Sequence, residues 1–245
     1  MSNELILYDL PSKGRCRSWS ANVWKTRLVL NYKNISYKTQ WVPFPEVRDT
    51  VAATGVSPNG EKAWTEYSVP LIKFPDGTYL MDSANIAPAL EKLHPSPPLH
   101  LDLKIHEELM PAFGQAIMPL VPSVAMPEIA RSVILECDRE WFYADRERKL
   151  GASLDELERT NGGDQAWEKA RPGFEGIREV LKKYKRDEGP FILGSEPSYG
   201  DFMLVAGIHM FSQFPKEKYE KFLSMCEPEL GNLYEASKQW IQRDD

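Results

Sequence analysis

Cysteine is scarce in this sequence. The 245 residues hold Cys16, Cys137 and Cys226, odd in number and far apart, which excludes a disulfide framework. Histidine is nearly as sparse. His94, His100, His106 and His209 share neither a helix-face spacing nor a cysteine pair, so no metal site is expected. Positive charge is in deficit, with a net charge of −6. That excludes a general nucleic-acid binder, which needs a positive surface to displace counterions. Long apolar runs are missing too: none approaches the ~20 residues that a bilayer span requires. The start, Met1-Ser2-Asn3-Glu4, puts no basic stretch ahead of an apolar one, so no signal peptide and a cytoplasmic location are expected. What remains is an ordinary globular balance, 42% hydrophobic and 27% charged, in a chain long enough for one large domain or two smaller ones.

Taken in order, Leu5 to Leu10 reads as a buried strand and Pro11 to Trp19 as a basic, turn-rich loop. A helix follows from Ser20 to about Asn31, with Val23, Trp24, Leu28 and Leu30 on helical spacing and Lys25 and Arg27 on the wetter side. Tyr37 to Val42 is a second strand, and Glu46 to Thr54 a short helix inside a long loop. Val69 to Phe74 and Thr78 to Met81 flank Pro75-Asp76-Gly77, a hairpin signal. Asp82-Ser83 then caps a helix that runs to Leu93. The order is β-α-β-α-β-β-α, with a parallel first pair and an antiparallel hairpin. Ser96-Pro97-Pro98 reads as a linker between domains at 1–95 and 99–245. Beyond it the pattern is helical throughout. The stretch Asp102 to Val124 must kink at Pro111, Pro119 and Pro122; Pro127 to Lys149 reads as one long helix; Ser198 to Phe214 reads as a central apolar one. Two further helices, about Lys216–Cys226 and Glu229–Gln242, finish the chain.

Ser20 opens the first helix, where backbone N–H groups and the helix dipole favour a thiolate, and Ser20 or Asn22 can serve as the cap. A Ser at this mouth with a basic residue, Arg27, seven positions on resembles the glutathione transferases. Trp19-Ser20-Ala21-Asn22 is most similar to their fungal, lignin-etherase-related group. Three further marks support the resemblance. Val69-Pro70 at a strand entry is similar to the family's cis-proline, whose preceding residue pairs with the cysteinyl backbone of glutathione. Asp82-Ser83 resembles the acidic-Ser pair for the γ-glutamyl end, Ser83 taking its carboxylate and Asp82 orienting its amine. Gly194-Ser195-Glu196-Pro197-Ser198-Tyr199-Gly200-Asp201 resembles a structural motif of the C-terminal domain and carries a capping-box spacing.

The resemblance implies a thioredoxin-like N-terminal domain (α/β) followed by an all-helical C-terminal domain. It also implies glutathione as co-substrate and a homodimer, with no nucleic-acid or membrane partner. Ser20 would donate a hydrogen bond to the glutathione sulfur rather than act as a nucleophile, since no His or Asp is placed as its base. Lowering a thiol pKa by about two units requires roughly 2.7 kcal/mol of differential stabilisation. The thiolate would attack hydrophobic aromatic electrophiles in a detoxification-type reaction, β-aryl ethers among the candidates. Trp19, Trp24, Trp41, Phe113 and Met118 are candidate walls of the acceptor pocket, with plain core packing as the competing account of each. The segment 43–67 leaves the glycine end of glutathione without assigned residues. Two alternatives stand beside this reading: a non-catalytic binder of aromatic compounds, and a thiol reductase working through Cys16, whose flanking Arg15 and Arg17 would depress its pKa.

Overall fold

The computed structural model describes residues 4–61 and 63–245. Four strands, β1 (Leu5–Asp9), β2 (Tyr37–Trp41), β3 (Leu71–Lys73) and β4 (Tyr79–Met81), form one sheet in the order β2-β1-β3-β4. β1 and β2 run parallel, with Leu7 opposite Thr39, and β3 and β4 form the antiparallel hairpin. Between them lie α1 (Ala21–Tyr32), α2 (Val47–Ala52) and α3 (Ser83–Leu93). This is the expected thioredoxin-like half. The Val69–Pro70 bond is cis, as are Ser96–Pro97 and Glu227–Pro228.

α1 departs from expectation in one respect. It packs against α3 on one side and against two C-terminal helices, α9 (Tyr199–Phe211) and α11 (Glu229–Ile241), on others, so beyond the exposed Asn22 of its first turn most of it is withdrawn from water. Arg27 is therefore fully buried, not solvated. Its Nε donates to the equally buried Asp9 at 2.8 Å, and its other nitrogens donate to Tyr37 and Thr39. Lys25 is half-buried.

The second half is helical, as expected. α4 (Ile105–Ile117) carries Pro111. The chain then bends by 49° into two π-helical turns, Val121–Ala125 and Ile129–Val133, joined by α5 (Met126–Glu128). No single helix among the described residues is long and apolar enough to cross a membrane. The long helix expected over Pro127–Lys149 is broken. Ile134 and Leu135 are extended and a 3-10 turn, Glu136–Asp138, precedes α6 (Arg139–Leu150). The break buries Ile134 and lets the Asp138 carboxylate accept from the Phe44 backbone N–H at 3.1 Å, a long-range bond that periodicity cannot register. α7 (Leu154–Asn161) starts at Ser153, whose Oγ accepts from Glu156 N, and α8 (Asp164–Tyr184) lies along α4. α10 (Lys216–Ser224) precedes α11. Every residue of α9 is buried, which makes it the axis of the helical half. At its start the Asp201 carboxylate accepts from Ser198 N–H and Oγ, each at 2.7 Å, and from Ile192 N–H at 2.8 Å.

Candidate functional site

The start of α1, the entry to β3 and the start of α3 converge on one cavity of about 440 Å³, within the roughly 300–1,000 Å³ typical of small-molecule sites. α1 contributes Asn22 and Lys25, the chain before β3 contributes Val69 and Pro70, and α3 contributes Asp82 and Ser83. The loop before β3 adds Asn59, Trp64 and Ser68. The helical half closes the far side with His106 and Met110 from α4 and Tyr199 and Met203 from α9. Five positions chosen from sequence for one ligand, Asn22, Val69, Pro70, Asp82 and Ser83, thus face a single space.

Asp82 is the least ordinary of these residues. Its backbone sits at φ +77, ψ +128, a conformation costly for a residue with a Cβ, and such residues gather at functional sites. Its Oδ1 accepts from Ala84 N–H at 3.0 Å, so it caps α3 as expected. Ser83 is buried at the first helical position, and its carbonyl accepts from the Tyr199 hydroxyl at 3.2 Å. Burial pushes the Tyr199 phenol up to about 12, so it stays a donor that ties α9 to this wall. Burial also lowers the pKa of His106, which packs edge-on against Tyr199 with centroids 5.6 Å apart.

Ser20 occupies the N-cap position of α1 with extended backbone (φ −69, ψ 119), and its side chain makes no capping bond. It is 8% exposed and is not among the walls of the cavity, although Asn22 two residues on is. The five apolar candidates do not come together around this space. Trp19 is buried against Phe44, and Trp24 is buried edge-on to His209 at 4.3 Å. Trp41 lies beneath Arg17 at 4.7 Å, Phe113 packs over Gly207, and Met118 is 68% exposed. For the first four, packing is the better account. Cys16, the rival thiol, lies outside this space. Burial raises its pKa and outweighs the lowering by the Gln213 hydrogen bond and by Arg15, and its sulfur accepts from Gln213 at 3.3 Å, away from the cavity.

Sequence reading missed Lys25, Trp64, His106, Met110, Tyr199 and Met203 as cavity residues. Lys25 was within reach, because it follows Asn22 by three and so shares its helix face. The others need the tertiary fold.

A family model of the glutathione S-transferase C-terminal domain matches residues 108–240, and one of the N-terminal domain matches residues 19–93. The chain belongs to the glutathione S-transferase family. Among curated proteins, the chain is 30% identical over 253 residues to the glutathione S-transferase-like protein ustS of Aspergillus flavus, covering 97% of this chain and 89% of that one. Among solved structures it is similar to the glutathione S-transferase CsGST63524 of Ceriporiopsis subvermispora in complex with glutathione, with a TM-score of 0.86 at 27% identity over 99% of this chain and 100% of that one. It is also similar to CsGST83044 of the same fungus, likewise in complex with glutathione, with a TM-score of 0.80 at 27% identity over 99% of each chain.

Proposed function

We propose that this chain is a glutathione transferase that binds glutathione in the cavity between α1, β3 and α3 and activates its thiol for attack on aromatic electrophiles. The carrying observation is Asp82, held at φ +77 in the cavity wall beside the buried Ser83. A carboxylate and the N-terminus of an eleven-residue helix are then presented together to one ligand end. Val69 lies in the same wall, positioned for the cysteinyl part, and Ser20, whose hydroxyl is not spent on capping, stands beyond Asn22 at the mouth of α1. A hydroxyl donor and helix-terminal N–H groups directed at sulfur favour its charged form. Trp64, Met110 and Met203 supply apolar surface for an aromatic acceptor, aryl ethers included.

One observation favours a second reading, a protein that binds aromatic compounds without turning them over: Ser20 does not itself line the cavity. The reductase reading loses its support, because the Cys16 thiol is pushed away from ionisation. Glutathione conjugation to aryl halides, isothiocyanates and aryl ethers, measured for the wild type and Ser20→Ala with glutathione binding followed in parallel, separates the readings. We expect kcat/KM to fall about tenfold or more with binding retained, the mark of an interaction made in the transition state. Equal turnover in both proteins removes Ser20 from the mechanism. Tight binding of aromatics with negligible turnover selects the binding protein.

A further inference from the structure

We propose that Trp24 is a positioning residue for Ser20: its indole N–H fixes the chain that delivers the Ser20 hydroxyl to the mouth of α1. The proposal rests on the thiol-activation reading and concerns how Ser20 is aimed, not where the ligand is bound.

Ser20 does not hold itself in place. It is the N-cap of α1, and its side chain makes no capping bond, so the direction of its hydroxyl is left to the backbone on either side. Downstream the helix sets that backbone, since the Trp24 N–H donates to the Ser20 carbonyl at 2.8 Å, the first bond of α1. Upstream stands the long loop 11–19. A bridge between Pro11 and Ser18 closes its neck. Its outer part leans on the helical half, where the Cys16 N–H donates to Gln213 Oε1 at 3.2 Å and the Arg17 N–H to Asp244 Oδ2 at 2.7 Å. None of these bonds reaches α1. The Trp24 side chain does join neck and helix: its Nε1 donates to the Ser18 carbonyl at 3.0 Å, and both residues are fully buried.

One residue thus grips the chain on both sides of Ser20, with its backbone at Ser20 and with its ring two residues earlier. Helix geometry makes this possible. Side chains of an α-helix lean toward its N-terminus, so the residue four places after the cap lies over the turn that carries the cap. Tryptophan suits the place, being rigid, long enough, and equipped with one donor and no acceptor, so it can grip only a carbonyl. The ring is itself anchored, edge-on to His209 of α9 with centroids 4.3 Å apart. The Ser18 carbonyl lies where water cannot replace a lost partner, so without the indole N–H the neck must either shift or carry an unsatisfied group. A donor aimed at sulfur tolerates a displacement of only about 0.5 Å.

The test is a double-substitution cycle at positions 20 and 24, read on the glutathione thiol itself. Wild type, Ser20→Ala, Trp24→Phe and the double variant are compared. A protein with benzothienylalanine at position 24, which keeps the indole shape but puts sulfur in place of its N–H, covers the case in which Trp24→Phe fails to fold. Calorimetry gives glutathione affinity, ultraviolet thiolate absorbance against pH gives the pKa of the bound thiol, and conjugation gives kcat. Both changes at Trp24 are expected to leave glutathione affinity within about threefold, to raise the bound thiol pKa by about one unit and to lower kcat about tenfold. Trp24→Phe is expected to add nothing once Ser20 is alanine, because the two act through one hydroxyl. Losses that multiply in the double variant, or a fall in affinity with the thiol pKa unchanged, overturn the proposal and leave Trp24 a packing residue. A benzothienyl protein with wild-type pKa and kcat overturns it as well. Failure of the underlying reading looks different: wild type and Ser20→Ala then show the same bound thiol pKa, which removes Ser20 from the chemistry and this role of Trp24 with it.

Discussion

At the scale of single residues, the Asp9–Arg27 pair is an ion pair withdrawn wholly from water. Both side chains are fully buried, and burial pushes the Asp9 carboxyl up while the Arg27 guanidinium beside it pulls it down. Arg27→Met leaves a buried carboxylate without its cation, which costs about 3–5 kcal/mol in comparable buried pairs. We expect a loss of that size in urea unfolding, partly recovered in the double variant Asp9→Leu/Arg27→Met, which removes both charges. A double variant no better than the single one would show that the hydrogen bonds to Tyr37 and Thr39, not the charge, are what stability depends on. Arg27 also shows which residue properties the sequence conceals. Its helix position is obvious, but its partners come from β1, from β2 and from the Asp245 carbonyl at the far end of the chain, none of which helical spacing can register. The Asp82–Ser83 cap was legible because the capping bond closes within two residues. Lys25 and His106 were not recognised as cavity residues, because a wall is assembled from segments that do not know of one another until the chain folds.

At the scale of elements, α4 and α8 make the most extensive helix–helix contact among the described residues, and glycine permits it. A Cβ on Gly173 would fall within the Ala116 backbone, and one on Gly176 would meet the Ala112 side chain at 2.9 Å. Gly231 in α11 has open space around it. The same substitution should therefore have opposite signs at the two places. Gly173→Ala must separate the helices and is expected to destabilise by about 1–3 kcal/mol or more. Gly231→Ala only restricts the unfolded chain and is expected to stabilise by about 0.5–1 kcal/mol. Thermal unfolding of both variants against the wild type checks the pair of signs, and stabilisation by Gly173→Ala would mean that the two helices are not in backbone contact. Elements were read well where their signals are local. The parallel first pair and the antiparallel hairpin followed from the linking helix and the Asp-Gly turn, and α9 announced itself by an apolar run behind a capping residue. The segment 127–149 was misread as one helix, since Ile134 and Leu135 carry no helix-breaking chemistry of their own. The break there buries Ile134 and brings Asp138 to the Phe44 N–H, contacts made with a distant part of the chain.

At the scale of the whole molecule, the junction of the two halves has an acid-sensitive point at His209. This residue of α9 lies edge-on to Trp24 of α1 at 4.3 Å, and its Nδ1 shares a hydrogen bond with the Tyr234 hydroxyl of α11 at 2.9 Å. Its Nε2 is buried without a partner among the described residues. Burial lowers its pKa from 6.5 to about 4, so the folded protein holds it neutral, while the unfolded chain takes up a proton near 6.5. Between those two values the unfolded state binds one more proton, and stability must fall as pH falls. The loss begins near pH 6.5, is complete near pH 4, and amounts to about 3 kcal/mol in full, of which about 2 kcal/mol is lost by pH 5. Asp201 works the other way. Burial pushes it up to about 6, so its contribution improves as pH falls through that value, and the wild-type profile alone mixes the two. Comparison with His209→Phe separates them, because Asp201 is common to both proteins. Denaturant unfolding at pH 7 and pH 5 should show the variant losing about 2 kcal/mol less than the wild type over that interval. An equal loss in both proteins would mean that His209 becomes protonated without disturbing the fold, and that the seam between α1, α9 and α11 admits water to the imidazole.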